Sequence, residues 1–129
     1  MFVASIDGRV HALDAKTGTK IWETDSNIDH NQSYSSTGAV QITKNAVVVG
    51  TSGSDMDVGG VRGYVSAFDL ESGKLKWRFF TVPPERGQPF EHPELEMAEK
   101  TWSPVRGKEF KGGGTVWDGI NYDPELNLV

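Results

Sequence analysis

Few residues in this sequence could carry out chemistry, and most familiar catalytic arrangements are missing from it. His11, His30 and His92 stand far apart, without the spacing of metal ligands. The run Gly-Gly-Gly-Thr at positions 112–115 lacks the lysine and the following helix of a phosphate-binding loop. No serine or cysteine is arranged with a histidine and an acid as an activated nucleophile. The remaining candidates are two hydroxyls, two loop acids and a tryptophan: Thr37, Ser52, Asp55, Asp57 and Trp117.

Residue type alone does not assign these candidates a ligand. Trp117 could pack between neighbouring sheets, or its indole face could stack on a planar ring. Thr37 and Ser52 could be ordinary turn or strand hydroxyls, and Asp55 a solvated loop acid. The elements that would position these residues therefore have to be considered first.

The composition excludes several functional classes. The 129 residues include 13 Lys+Arg and 18 Asp+Glu, a formal net charge of −5. This balance provides no basic field for nucleic acid or anionic lipid. No apolar run approaches the roughly 20 residues that span a bilayer, so we expect no membrane segment. The absence of cysteine excludes internal disulfides and cysteine-based zinc or haem sites.

Both ends of the sequence suggest a piece of a larger protein. Residues 2–6 read as a strand rather than as a secretory leader, and residues 126–129 form an apolar run without a following turn. We therefore expect a fragment of one domain that covers residues 1–129.

An internal repeat is the strongest signal in the sequence. The pattern A-x-D-x-x-[ST]-G-x-x-x-W begins at Ala12 and again at Ala67, an offset of 55 residues, and ends at Trp22 and Trp77. Alternating apolar residues before each aspartate predict a strand, and Asp-x-x-[ST]-Gly predicts a turn. The tryptophans are interpreted as structural, filling space between neighbouring sheets.

The remaining pattern predicts an all-β fold built from four-stranded antiparallel blades. Residues 38–42 and 46–49 flank a turn and predict one hairpin, and residues 115–122 and 126–129 predict another. Two hairpins per repeat make one propeller blade, so the chain holds about two and a half blades. Residues 83–114 break this rhythm and predict a long loop, either a surface excursion or a lid, with a short helix over residues 93–100.

Beyond the repeat, further motifs resemble the quinoprotein alcohol dehydrogenases. The tryptophan motifs alone resemble the wider quinoprotein propeller family, which includes a cofactor-free scaffold lipoprotein of outer-membrane assembly. Three stretches narrow the match: Thr-Gly-Ala at 37–39, residues 50–64, and Gly-Gly-Gly-Thr-Val-Trp at 112–117 with Tyr-Asp-Pro at 122–124. Residues 77–83 and 93–95 are similar to the ethanol-oxidising branch. The resemblance covers essentially the whole chain but roughly two of the family's eight blades.

The resemblance implies a partial pocket for pyrroloquinoline quinone. Trp117 matches the floor on which the quinone stacks, and Thr115, which follows the glycine run, is a further cofactor-binding candidate. Thr37 matches a residue that bonds a cofactor carboxylate, and Ser52 with Gly53 matches a pair at the cofactor edge. Hydroxyl and backbone donors suit such a tricarboxylated ligand.

The implied metal site departs from the family pattern. Asp55 stands where the family carries a glutamate that binds calcium, and an oxygen ligand is chemically right for that ion. The loop after it is longer than in the family, so Asp57 could be the ligand instead. The other ligands and the general base would lie beyond Val129. No Cys-x-x-Cys-His motif is present, and the sequence does not decide whether a haem domain is attached.

Two functions remain for the parent protein. The first, implied by the resemblance, is oxidation of a primary alcohol by hydride transfer to calcium-activated quinone, in the periplasm, with cytochrome c as electron acceptor. The rival is a non-catalytic propeller that acts as a scaffold or partner-binding module. The joint presence of Thr37, Ser52, Gly53, an acid at 55 and the 112–117 motif favours the enzyme. For the isolated chain we expect no activity.

Overall fold

Two antiparallel sheets dominate the computed structural model, which describes residues 1–53, 61–102 and 113–129. The first sheet consists of β1 (Phe2–Ala4), β2 (Arg9–Leu13) and β3 (Lys20–Asp25), in that order. The second sheet consists of β4 (Gln41–Ile42), β5 (Ala46–Gly50), β6 (Tyr64–Asp69) and β7 (Leu75–Phe80). The described ranges also contain a short helix, α1 (Pro93–Glu99). The expected antiparallel, all-β architecture is confirmed.

The two repeats form the same turn. The Asp14 carboxylate accepts hydrogen bonds from the Thr17 amide at 2.8 Å and the Thr17 hydroxyl at 2.9 Å. The Asp69 carboxylate accepts the equivalent pair from Ser72 at 2.9 and 2.8 Å. These bonds stabilise the charged carboxylates and lower the pKa of both aspartates. The repeat found in the sequence is therefore a structural repeat.

A bulge marks the same position in both sheets. Ala12 pairs with Trp22 across β2 and β3, and Ala67 pairs with Trp77 across β6 and β7. In each sheet the register shifts directly after the alanine. A bulge adds local twist to the strand that carries it, so each tryptophan lies on a strand twisted in the same way.

Trp22 joins the first sheet to the second. Its indole Nε1 donates to the backbone carbonyl of Leu70 at 3.0 Å, and its ring packs against Phe2 with 5.7 Å between centroids. A Cβ atom placed on Gly73 would lie 2.6 Å from the indole, so the turn accepts the ring only because residue 73 is glycine. The interpretation of Trp22 as a filler between sheets is confirmed. Trp77, at the equivalent position, is 41% exposed.

The core between the sheets is apolar, and buried hydrogen bonds link the two sheets at one end of it. Its apolar members are Val10, Val47, Val49 and Phe68. At one end the Tyr64 hydroxyl donates to the Ser26 carbonyl at 2.8 Å, and the Arg78 guanidinium donates to the same oxygen at 2.9 Å. The guanidinium also lies 4.6 Å from the Tyr64 ring centroid. Ser26 follows the first sheet, so these hydrogen bonds link the two sheets.

Parts of the predicted strand pattern are wrong. Residues 115–122 and 126–129 form no strands, and this region contains a single bridge, between Asp123 and Leu128. A strand needs a neighbouring strand in a ladder, and residues 115–122 join no ladder with another strand of the described ranges. The strand expected over residues 38–42 is reduced to β4. The helix expected over 93–100 ends at Glu99.

The segment of residues 113–120 instead packs against the second sheet. Ile120 contacts the cluster of Ala46, Val48 and Ala67, on the side of β5 opposite the core with the first sheet. The carbonyl of Val116 lies so close to Gly50 that a Cβ there would overlap it, and the Gly114 carbonyl lies equally close to Gly63. The glycines of the second sheet thus allow backbone to lie against backbone.

The described ranges contain no helix that is long and apolar enough to cross a membrane.

The contact between the sheets predicts unequal costs for removing the two repeat tryptophans. Trp22→Ala removes packing and a hydrogen bond between sheets, and we expect it to lower the free energy of unfolding by about 2–3 kcal/mol. Trp77→Ala, at an exposed equivalent, should cost about 1 kcal/mol or less. Urea unfolding of dilute chain measures both values. Equal costs would show that Trp22 does not hold the sheets together.

The backbone contact at Gly50 predicts that a single added methyl group disturbs the 113–120 segment. Gly50→Ala should cost about 1–3 kcal/mol, because the methyl meets the Val116 carbonyl. Gly119→Ala is the matched control, since a Cβ there meets nothing within 4 Å. The ¹H–¹⁵N spectrum should show a shifted Trp117 indole signal only in the first variant. An unmoved signal in Gly50→Ala would contradict the described packing.

The buried Tyr64 predicts a loss of stability in alkali. Burial disfavours the phenolate and raises the pKa of Tyr64 to about 12. An unfolded tyrosine ionises near pH 10, so the unfolded chain loses this proton first and stability falls as pH rises from about 10 to 12. We expect Tyr64→Phe to flatten this fall, measured by urea unfolding at about pH 9 and 11. An unchanged slope in Tyr64→Phe would contradict the assignment.

Candidate cofactor pocket

Two of the predicted donors lie in direct contact. The Thr37 Oγ1 and Ser52 Oγ atoms are 2.5 Å apart, although 15 residues separate them in sequence. Ser52 is buried, and its backbone exchanges hydrogen bonds with Ser35 at 2.9 and 3.0 Å. Thr37 is exposed. The pair therefore has one fixed member and one member open to a ligand, which suits hydroxyls that bond a carboxylate.

Gly53 follows Ser52 in the chain and has a backbone conformation that favours glycine. Its φ of +136° lies in the left-handed half of conformational space. A Cβ at this position would overlap the backbone carbonyl of Ser33. Gly53, directly after the buried Ser52, is thus held against the backbone of Ser33.

The backbone of Trp117 lies beside Gly38, and its side chain is accessible to solvent. The indole is 56% exposed. The Trp117 carbonyl lies 2.9 Å from the position of a Cβ on Gly38, the residue after Thr37. The fold therefore brings the backbone of the predicted floor residue next to the residue that follows Thr37, across about 80 residues of sequence.

Thr115 occupies a different part of the same segment. Its backbone nitrogen lies 2.6 Å from the position of a Cβ on Gly63, and its side chain is half-buried. It lies against the start of β6 rather than beside Thr37. This contact with Gly63 positions the backbone two residues before Trp117.

Arg62 contacts both the segment of residues 113–120, which we call the pocket segment, and the long loop that contains Glu91. The sequence did not indicate this role. Its guanidinium donates to the Val82 carbonyl at 2.7 and 3.1 Å and to the Glu91 carboxylate at 2.8 and 3.1 Å. It also lies 4.4 Å from the Phe80 ring centroid. These bonds lower the pKa of Glu91. Nothing in the spacing of Arg62 and Glu91 signals the pair, which forms only when the loop folds back.

The same region holds the start of the pocket segment. Arg62 forms a parallel bridge with Gly113, and the Thr81 hydroxyl donates to the Gly114 carbonyl at 2.6 Å. Arg62 therefore contacts the pocket segment through its backbone and the long loop through its side chain. This arrangement sets where the chain that leads to Trp117 begins.

The predicted metal ligands, Asp55 and Asp57, lie outside the described residues. Among residues 1–53, 61–102 and 113–129, no three histidines, cysteines or acids cluster as a metal site. The donor set that is described consists of hydroxyls, a glycine backbone and an open indole face. These groups fit a planar, carboxylated quinone, because the hydroxyls can donate to a carboxylate and the indole can stack on the ring.

The sequence of the chain matches a known family and several known proteins. The family model described as outer membrane protein assembly factor BamB matches residues 1–117. The quinohemoprotein alcohol dehydrogenase ADH IIB of Pseudomonas putida is 49% identical over 129 residues, which are 100% of this chain and 18% of that protein.

Solved structures of related enzymes also match the fold of the chain. The structure of quinohemoprotein alcohol dehydrogenase ADHIIG from Pseudomonas putida HK5 matches with a TM-score of 0.85 and 48% identity, over 98% of this chain and 18% of that one. A europium-containing methanol dehydrogenase matches with a TM-score of 0.73 and 32% identity, over 97% of this chain and 22% of that one. The chain thus spans about a fifth of the length of these proteins, and its two sheets are part of a β-propeller. By sequence and by fold, the chain belongs to the quinoprotein alcohol dehydrogenase family.

Proposed function

We propose that this chain forms part of the quinone pocket of a pyrroloquinoline quinone-dependent alcohol dehydrogenase that oxidises primary alcohols to aldehydes. The observation that carries the proposal is the position of Trp117. Its backbone lies against Gly38, beside the Thr37–Ser52 hydroxyl pair, and its indole is open. An indole with one face free can serve as a stacking platform for a planar ring.

Each pocket residue has a distinct role in the proposal. Trp117 provides the flat apolar surface for the ring. The Thr37–Ser52 pair, whose hydroxyls share one hydrogen bond, donates its remaining O–H to a carboxylate at the ring edge, and the backbone of Gly53 lies at the same edge. Thr115 holds the segment that carries Trp117. The bound quinone would supply the hydride acceptor, while the chain provides orientation and electrostatics.

The proposed metal and electron partners come from the family resemblance. Calcium, or another hard cation, would bind Asp55 or Asp57 and polarise the quinone. Cytochrome c would accept the electrons, in the periplasm. The substrate is a small primary alcohol. Residues 1–129 would form one part of a single propeller domain, with the catalytic base supplied by residues outside this chain.

The isolated chain should therefore be inactive. Two sheets cannot close a ring, so they leave strand edges and an apolar face uncovered. Trp117, Thr37 and Ser52 would provide only the floor and one edge of the pocket. We expect weak quinone binding, or none, and no alcohol oxidation by the 129 residues alone.

A second candidate is a non-catalytic propeller used as a scaffold. The observation in its favour is the matched family model, whose description is that of an assembly factor. A scaffold needs the repeat tryptophans and turns, but it has no need of an open indole beside paired hydroxyls. The two candidates therefore differ in whether the pocket binds quinone.

A chimaera tests the proposal. This chain would replace the matching 18% of the Pseudomonas putida enzyme ADHIIG, and alcohol oxidation and bound quinone would be measured. Trp117→Ala should weaken quinone binding about 10- to 100-fold, the equivalent of 1.4–2.8 kcal/mol. Trp102→Ala is the matched control, because Trp102 is also exposed and lies outside the pocket.

The outcomes separate the candidates. A chimaera that folds but never binds quinone would favour the scaffold. Full activity in Trp117→Ala would contradict the stacking role. Titration of the isolated chain with quinone and calcium, followed by tryptophan fluorescence, completes the test. Tight, calcium-dependent quenching there would contradict the expected weakness of the fragment.

A further inference from the structure

The ion pair of Arg62 and Glu91 joins two parts of the chain that lie 29 residues apart. Nη1 of the guanidinium donates to Oε1 of the carboxylate at 2.8 Å, and Nη2 donates to Oε2 at 3.1 Å. Only 18% of the Arg62 side chain and 34% of the Glu91 side chain are exposed. Two parallel bonds from a planar guanidinium fix both the distance and the orientation of the partners. This pair can therefore hold the long loop in a defined position.

The same guanidinium also fixes the backbone at Val82. Nε and Nη2 of Arg62 donate to the Val82 carbonyl at 3.1 and 2.7 Å. Arg62 thus has a charged acceptor in Glu91 and a neutral acceptor in Val82. Hydrogen bonds to a charged group are roughly twice as strong as neutral ones. Removal of the Glu91 charge would therefore weaken the hold on the guanidinium and, through it, on the Val82 backbone.

Val82 in turn lies against the start of the pocket segment. Its side chain is buried, and a Cβ placed on Gly114 would lie 2.6 Å from its Cγ2 atom. The neighbouring Thr81 hydroxyl donates to the Gly114 carbonyl at 2.6 Å. The backbone of Arg62 itself forms a bridge with Gly113. The start of the pocket segment therefore depends on Arg62 directly and on Val82, which Arg62 holds.

Backbone packing carries this starting position on toward Trp117. The Gly114 carbonyl lies against Gly63, and the Val116 carbonyl lies against Gly50, each so close that a Cβ on the glycine would overlap it. Closely packed protein has low compressibility and transmits displacements. A shift at the start of the pocket segment therefore moves the backbone that carries the indole.

We infer that Arg62 and Glu91 are positioning residues for the quinone pocket: their ion pair fixes the start of the pocket segment, and this sets where the Trp117 indole lies. Neither residue needs to contact the quinone for this effect. The effect on quinone binding rests on the proposed function, whereas the position of the indole can be measured without quinone.

The position of the indole is tested in the 129-residue chain. Glu91→Gln keeps the shape of the side chain and removes its charge, and we expect the Trp117 indole signal of the ¹H–¹⁵N spectrum to shift. Arg62→Lys should shift the same signal, because an ammonium cannot reproduce the planar set of bonds that the guanidinium makes. Glu96→Gln is the matched control, since that carboxylate pairs with Lys100 at the surface, and it should leave the signal in place.

The effect on quinone binding is tested in the chimaera with ADHIIG. We expect Glu91→Gln to weaken quinone binding about 3- to 10-fold. In a chimaera that already carries Trp117→Ala, the same change should weaken binding little further, because it acts through the indole. A general loss of stability would instead reduce binding by the same factor in both backgrounds. This comparison separates a positioning role from a merely structural one.

Two results would overturn the inference. One is a Trp117 indole signal that stays in place in both Glu91→Gln and Arg62→Lys. The other is equal weakening of quinone binding by Glu91→Gln with and without the Trp117 indole. A chimaera that folds but never binds quinone would contradict the proposed function instead, and in that case the indole signal alone decides the positioning role.

Discussion

A small antiparallel sheet has two faces, and strands with apolar residues on one or both of them need a second layer for burial. In this chain the spacing between layers is set where the Trp22 indole lies on the turn that follows β6. A bulky ring can occupy that place only because Gly73 carries no side chain, and its Nε1–H reaches the Leu70 carbonyl, which avoids an unpaired donor at the contact. The fully buried strand β5, which packs on both sides, depends on this spacing.

The proposed pocket follows from how residues 113–120 cover the face of the second sheet that points away from the first sheet. Gly38, Gly50 and Gly63 leave room for a backbone segment to lie directly on the sheet. The segment is anchored at its start by the bridge to Arg62 and by Thr81, and at its end by Ile120. Between these anchors the carbonyl of Trp117 lies beside Gly38, and the indole is exposed. The same glycines that permit the packing therefore also set the path of the backbone that carries Trp117.

Sequence reasoning succeeded where the information was local or repeated. The Asp14 and Asp69 turns follow from hydrogen bonds within a few residues, and the position of Trp22 follows from the repeat. The strands expected after Thr115 did not form, because strand pairing depends on a neighbour and not on the apolar pattern alone. The Arg62–Glu91 pair was missed for a similar reason: the residues meet only after the long loop turns back. The proximity of Thr37, Ser52 and Trp117 was suggested by the family resemblance and not by their spacing.

We propose that Trp117 and the Thr37–Ser52 pair form two sides of one quinone pocket. A crystal structure of the quinone-loaded chimaera would locate the quinone relative to both. We expect a quinone ring parallel to the Trp117 indole, with a carboxylate about 2.5–3 Å from the Thr37 or Ser52 hydroxyl. A quinone bound elsewhere, or a Trp117 indole covered by protein on both faces, would contradict it.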